Sequence, residues 1–262
     1  MTDPIAARHA LACTLARAAG AHAHALFDAR ATLAIEAKAS SQDVVSRADR
    51  ELEAMIRDRI AAEFPADGIL GEEDAPKRGT SGFTCVIDPI DGTMPFLSGL
   101  PHWCVAIAVV DADHIQAAAT FAPVYGMLYH AIRGGGAFRD DERLTLRDDL
   151  ALTGALTAVG ASDRVSPDLA ATLVARLMTA GGMFYRNGSG ALMLAQVASG
   201  HLAGYIEPHM NAWDCLGGLL MVAEAGGRAE VDLPGMLARG GPVLAAAPAA
   251  HDALSGVVAG LY

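Results

Sequence analysis

Apolar residues recur on two different periods along this chain, and each change of period marks an element. Over residues 5–27 alanine and leucine return at helical spacing and predict one long, alanine-rich helix. Residues 33–38 and the pair Val44-Val45 flank Ser40-Ser41-Gln42, which predicts a hairpin. A second helix is predicted from about Ser46, because Leu52, Met55, Ile56 and Ile60 share one helical face and Phe64-Pro65 stops the pattern. Phe83-Thr84-Cys85-Val86-Ile87 is short and rich in β-branched and aromatic side chains, so it reads as a buried strand. Strands at 105–110, 115–121 and 127–132 follow. They are joined by the turn formers Asp111-Ala112-Asp113 and Pro123-Val124-Tyr125-Gly126, which predict antiparallel neighbours rather than crossovers. After about residue 145 the order becomes a strand at 156–159, helices at 167–179 and 189–199, a strand at 202–206 and a helix at 212–225. The first half therefore reads as α+β and the second as α/β. With no internal repeat, low-complexity tract or long linker, the halves 1–145 and 146–262 are expected to pack as one unit.

The predicted strand at 83–87 runs into Asp88-Pro89-Ile90-Asp91-Gly92-Thr93, two carboxylates three positions apart with a Gly-Thr turn behind them. A strand's carboxyl end is where ligand crevices form. Two more acidic groups lie at Gly71-Glu72-Glu73-Asp74 and at Asn211-Ala212-Trp213-Asp214, the latter just before the apolar run 216–223. Each has a purely structural account. Asp88 and Asp91 serve in turns, Glu72 and Glu73 suit a solvated loop, and Asn211 with Asp214 has capping-box spacing at a helix start. Convergence of all three gives a chemical account instead. Hard cations such as Mg²⁺ take oxygen ligands at about 2.0–2.1 Å and keep several waters. Two such ions roughly 3.5–4 Å apart clamp the attacking and leaving oxygens of a phosphoryl transfer. An unpaired carboxylate beside so apolar a helix is costly to bury, and a cation relieves that cost.

Composition narrows the partners. The 262 residues suffice for a sizeable core. Apolar residues make up 52%, yet no run reaches the roughly 18 that a membrane helix needs, and Met1-Thr2-Asp3-Pro4 lacks a signal pattern, so a cytoplasmic protein without a membrane partner is expected. A formal charge of −11 opposes a phosphate backbone, and no direct nucleic-acid binding is expected. Cys13, Cys85, Cys104 and Cys215 form no CxxC pair and read as reduced, buried thiols. The nine histidines form no HExxH or comparable pair and are assigned surface or packing roles. Gly134-Gly135-Gly136 lies between two strand-like segments and predicts a hairpin turn rather than a phosphate cradle.

Taken in order, Lys38, Asp43-Val44-Val45-Ser46-Arg47-Ala48-Asp49, Gly71-Glu72-Glu73, residues 88–93 and Trp213-Asp214 leading to Glu224-Ala225-Gly226-Gly227 resemble the inositol monophosphatase superfamily over nearly the whole chain. That superfamily includes inositol-phosphate, fructose-bisphosphate, histidinol-phosphate and phosphoadenosine phosphatases. The resemblance implies a layered αβαβα sandwich with the metal site between the halves. It also implies a phosphomonoesterase that uses two or three Mg²⁺ ions, with Mn²⁺ as a substitute. On that pattern Glu72, Asp88, the Ile90 carbonyl, Asp91 and Asp214 bind metal, with Glu73 beside them. Thr93, hydrogen-bonded to Asp49, orients and helps deprotonate a metal-activated water that attacks phosphorus directly. The leaving alkoxide takes its proton from a second metal-bound water near Asp214. The haloacid dehalogenase pattern, which forms an aspartyl-phosphate, spaces its acids two apart; here they are three apart, with Pro89 between.

The resemblance also implies substrate contacts at Asp91, Gly92, Thr93, Gly188, Ser189, Glu207 and Asp214, the amides of Gly92 and Thr93 facing the phosphate. Inositol monophosphate or a related small polyol phosphate is the expected substrate. Phe96-Leu97-Ser98-Gly99 and Glu207-Pro208-His209-Met210 resemble the histidinol-phosphatase branch, so histidinol phosphate is the alternative. A homodimer is expected, and an additional role in binding the transcription machinery, known among bacterial relatives, stays open.

Overall fold

Asp3 accepts from the Ile5 amide at 2.9 Å and Pro4 occupies the first helical turn, so helix α1 (Pro4–Asp28) starts where its sequence provides a cap. The computed structural model describes residues 3–29, 35–37 and 44–262. Strands β1 (Ile35–Ala37) and β2 (Val44–Ser46) pair antiparallel, as the hairpin reading requires, while its turn, Lys38 and Asp43 lie outside the described residues. Helix α2 (Arg47–Glu63) follows at once.

A seven-stranded sheet comes next, built in spatial order from β3 (Gly68–Gly71), β4 (Thr84–Asp91), β5 (Cys104–Val110), β6 (Ile115–Ala122), β7 (Met127–Ile132), β8 (Gly136–Arg139) and β9 (Glu142–Arg143). From β4 onward every pairing is antiparallel, and the short turns predicted this for β5 to β8. The β3–β4 pair is parallel and was not anticipated. The β7–β8 hairpin turns at Gly134 and Gly135, whose neighbourhood also ties down another element: the amides of Gly134 and Gly136 donate to the Glu224 carboxylate at 2.8 and 2.9 Å.

The second sheet has the order β11 (Met183–Tyr185), β10 (Leu156–Val159), β12 (Gly204–Met210), β14 (Gly241–Ala246), β13 (Arg228–Ala229). The first three are parallel and the last two join antiparallel. Helices α4 (Pro167–Thr179), α5 (Gly190–Ala198), α6 (Ala212–Glu224), α7 (Leu233–Arg239) and α8 (Pro248–Val258) complete this half, and the short α3 (Thr93–Leu97) follows β4.

Burial sorts these elements into five layers. Ala12, Ala16, Ala19 and Ala23 of α1 pack with α2 on one face of the large sheet, against Ile87, Val105, Ile107 and Val109. The other face, Val86, Cys104, Ala106 and Ala108, packs on α5 and α6 in the middle layer. The smaller sheet closes that layer, and α4 and α8 cover its far side through Leu173, Leu177 and Leu254. The order is αβαβα. Strand β5 is buried along its whole length because helices cover both faces, which is why it reads as an unbroken apolar run. Among the described residues no helix is long and apolar enough to cross a membrane.

Three boundaries differ from expectation. Strand β4 continues through Asp88 to Asp91 instead of ending at Ile87, and β12 starts at Gly204 and runs to Met210 instead of covering 202–206. Both contain a proline, Pro89 and Pro208, and both shift register there, between Asp88 and Asp91 and between Glu207 and Met210. A bulge leaves one residue out of the ladder, which is where a residue without an N–H is tolerated. The helix expected at 189–199 is α5, with Ser189 and Ser199 as its caps.

Candidate metal centre

The β4 bulge decides the direction of the two carboxylates. In a regular strand, residues three apart point to opposite faces. Here Asp88 stands opposite Ala106 and Asp91 opposite Cys104, so three positions on β4 match two on β5. Ala106 and Cys104 share the face toward the middle layer, and Asp88 and Asp91 therefore do too. Ile90 sends its side chain to the other face, into the core beneath α1 and α2.

The remaining groups arrive from three elements. Gly71 of β3 pairs with Ile87, so Glu72, the next residue, lies beside Asp88. Asp214 occupies the third position of α6, where its Oδ2 accepts from the Asn211 amide at 3.1 Å. Acceptor oxygens of Asp88, Asp91 and Asp214 lie within 4.8 Å of one another. Asp91 meanwhile accepts from the amides of Gly190 and Ala191 at the start of α5, at 3.2 and 2.7 Å, and from the Ser189 hydroxyl. The positive helix end favours a carboxylate there. Behind Asp91, Gly92 takes φ 95°, in the left-handed region; a Cβ there would also stand 2.7 Å from the His102 carbonyl oxygen. The Gly-Thr turn is held from below by Phe96, whose ring meets Trp103 edge-on at 4.9 Å and Phe27 at 5.4 Å.

Electrostatics follow from crowding acids in a dry place. Burial, then the charges of Glu72, Asp91, Asp214 and Asp49, push the Asp88 carboxyl well above the usual range. Asp91 is raised to about 7 by burial and Asp214, against the pull of its three donors. Asp214 is raised by burial. Asp88 Oδ1 is buried with no hydrogen-bond partner. A buried, partnerless carboxylate oxygen facing two more carboxylates is costly without a counter-charge, and an all-oxygen donor set suits a hard divalent cation. The residues fit such an ion.

Other assigned residues fall as follows. Glu72, Ile90, Gly92, Thr93, Gly188 and Glu207 line the same cleft as the three aspartates. Thr93 Oγ1 donates to the Ile90 carbonyl at 3.2 Å. Asp49 is buried on α2, near enough to Asp88 to raise it. Ser189 is fully buried and does not face the cleft; its hydroxyl is spent on Asp91 and on the start of α5, accepting from Leu192 N at 3.3 Å. Glu207 accepts from the Tyr205 hydroxyl, and burial raises it to about 7.

Sequence reasoning passed over Glu53. This fully buried residue of α2 accepts from Arg57 Nε at 2.7 Å and from the amides of Glu73 and Asp74 at 2.8 and 3.0 Å. Arg57 in turn donates to the carbonyls of Asp74 and Ala75. The pair grips the loop that carries Glu72. A Cβ on Gly71 would lie 2.2 Å from Glu53 Oε1, so this position has room only for glycine. The available signal was Asp49, Glu53 and Arg57 at i, i+4, i+8 beside the apolar stripe of α2. Arg164 and Arg186, which line the cleft and face Asp214 and Glu207 with positive charge, were also passed over. Nothing in their local sequence distinguishes them from surface arginines.

The sequence model of the inositol monophosphatase family matches residues 7–255. An inositol-1-monophosphatase of Rhizobium meliloti is 39% identical over 188 residues, 71% of each chain. A protein of Haemophilus influenzae named Nus factor SuhB is 35% identical over 209 residues, 78% of each. Among solved structures, the extragenic suppressor protein SuhB of Bartonella henselae superposes with a TM-score of 0.90 at 28% identity, covering 97% of this chain and 99% of that one.

Proposed function

This chain belongs to the inositol monophosphatase family, phosphoric monoester hydrolases, and from that premise we propose that it is a Mg²⁺-dependent phosphomonoesterase acting on inositol monophosphate or a related small polyol phosphate. The observation that carries the reading is the bulge that turns Asp88 and Asp91 onto one face, with Asp214 brought from the other half to within ligand distance. Glu72, Asp88, the Ile90 carbonyl, Asp91 and Asp214 hold the cation. When bound, Mg²⁺, or Mn²⁺ in its place, lowers the pKa of water and offsets charge on the phosphoryl oxygens.

The chain's own groups do the rest. The amides of Gly92 and Thr93 face the phosphate at the start of α3, and Asp91 and Asp214 meet the substrate. Thr93 Oγ1 orients the attacking water, and Asp49 takes up the proton that Thr93 relays. A hydroxyl has a single proton to donate. In this structure that proton goes to the Ile90 carbonyl at 3.2 Å, and the relay requires the hydroxyl to turn to Asp49. Glu207, fixed by Tyr205, accepts from ring hydroxyls beside Gly188, and Arg186, tethered to the Ala161 carbonyl at 2.8 Å, supplies positive charge at that end.

Kinetics on inositol monophosphate and histidinol phosphate, side by side with and without Mg²⁺, test the proposal. Faster turnover of the inositol ester supports it, preference for histidinol phosphate assigns the chain to that branch, and rates unaffected by chelation overturn both. The name Nus factor SuhB on a relative at 35% identity supports a second role in binding the transcription machinery. Pull-down of RNA polymerase or its elongation factors, undiminished by Asp88→Asn, tests it. A cytoplasmic homodimer belongs to the same reading, and light scattering of the purified protein checks the dimer.

A further inference from the structure

On the outer layer, away from the acidic cleft, α1 and β7 bring three soft or borderline ligands together. His9 and Cys13 are one helical turn apart on α1, and His130 projects from β7 beneath them. His9 Nε2 lies 3.1 Å from His130 Nδ1 and 3.5 Å from Cys13 Sγ. Ligand atoms of all three fall within 4.8 Å of one another. We propose that His9, Cys13 and His130 form a second metal site, for Zn²⁺ or a similar borderline transition-metal ion, distinct from the oxygen-rich centre.

Distances, tautomer and chemistry agree on this. At Zn–N of about 2.0 Å and Zn–S of about 2.3 Å, tetrahedral angles separate two nitrogens by about 3.3 Å and a nitrogen from a sulfur by about 3.5 Å. The His9–His130 and His9–Cys13 separations match those edges, and the third, from Cys13 to His130, lies within 4.8 Å. His130 Nε2 lies 3.0 Å from the Asp140 carbonyl oxygen, which only accepts, so that nitrogen carries the proton and Nδ1 presents its lone pair to the site. A ligating imidazole whose other nitrogen donates to a backbone carbonyl is the arrangement that fixes a metal-binding tautomer. The ring is steadied further by stacking on Phe138, with centroids 5.4 Å apart and planes at 13°.

Burial and the neighbouring His130 lower the His9 pKa, which keeps that ring neutral and able to ligate. Burial pushes the Cys13 thiol up to about 11, so the ion must displace its proton to solvent. Because His130 Nδ1 accepts, His9 Nε2 carries the ring proton in their 3.1 Å contact, and ligation by Nε2 requires that proton to move to Nδ1. Two nitrogens and one thiolate select zinc-like ions over Mg²⁺, which prefers oxygen. Three protein ligands at a half-buried place leave the fourth position to water.

The test is a Co²⁺ titration of the full chain in saturating Mg²⁺, followed by displacement with Zn²⁺. We expect one equivalent of Co²⁺ to raise a thiolate-to-cobalt charge-transfer band that Zn²⁺ abolishes. Cys13→Ser should remove the band, and His130→Gln should weaken Co²⁺ binding at least 10-fold, while both keep a near-wild-type melting temperature in chelator. Absence of the band in the wild type overturns the site. So does its persistence in Cys13→Ser, which would assign it to Cys104 beside Asp91. Should Cys13→Ser fail to fold, unchanged Co²⁺ affinity in His130→Gln overturns the site by itself.

Discussion

The Ser189 hydroxyl donates to Asp91 Oδ2 across 98 positions of sequence, joining the end of β4 in one half to the start of α5 in the other. Asp91 is thereby fixed by three donors from the second half while it faces Asp88 and Asp214. Removing Ser189 changes no proposed ligand, only the aim of one. Ser189→Ala is expected to lower kcat/KM about 10- to 100-fold, with a higher Mg²⁺ requirement, as loss of a supporting hydrogen bond at a metal ligand does. It should also cost about 1–3 kcal/mol of stability, read by chemical denaturation. Wild-type Mg²⁺ dependence would show that Asp91 is positioned by the helix alone.

Asp88→Asn separates stability from function. The buried carboxyl is held against burial and four neighbouring acids, and an amide relieves both while donating to the carboxylate oxygens around it. The melting temperature in chelator should rise above wild type, and Mg²⁺ should no longer raise it. Turnover should vanish, as it should for Asp91→Asn and Asp214→Asn.

The pH dependence of the metal-free protein has a definite sign. Asp91 and Glu207 have ordinary values of 3.8 and 4.5 and are raised to about 7 on folding. Their contribution is fully present below pH 4, where both are protonated folded or unfolded, and is lost as pH rises through about 7. Thermal melts in chelator should therefore fall across pH 4 to 7 and level above it. Stabilisation by Mg²⁺ should grow over the same window, because the ion binds the ionised acids. A melting temperature flat across that window would contradict the assignment.

Thr93→Ala is expected to lower kcat by about 10²- to 10⁴-fold, the range of a lost proton-transfer group, with little change in Mg²⁺ affinity. Thr93→Ser, which restores the hydroxyl, should recover most of the rate. Equal losses in both variants would assign Thr93 to packing.

Gly71→Ala tests the support beneath Glu72. Its Cβ would meet Glu53 Oε1 at 2.2 Å, so Glu53 must leave the amides of Glu73 and Asp74. We expect a stability loss of about 2 kcal/mol or more and a several-fold higher Mg²⁺ requirement. An unchanged requirement would show that the loop holds Glu72 without Glu53.

Much of this was legible one residue at a time. Helical spacing located α1, α2, α4 and α6, and short turns predicted the meander from β5 to β7. The run from Asp88 to Thr93 marked the centre because clustered acids beside an apolar strand are chemically conspicuous. The short strands β3, β11 and β13 left too few positions for a period to register. The partners of Asp91 were hidden for another reason: Ser189 and the amides of Gly190 and Ala191 become its donors only when α5 docks on the large sheet.

The sequence by itself determined which side chains are present, their spacing along each element and the apolar periods that make those elements fold. The direction in which the acids point was left to the tertiary structure. Asp88 and Asp91, three apart, share a face only because pairing with β5 accommodates a one-residue bulge at Pro89, and that pairing is a long-range contact. Whether His9 and Cys13 meet a third ligand likewise rests on β7 passing beneath α1. Periodicity is a local property that sequence records; convergence depends on how layers pack, and only the folded chain carries it.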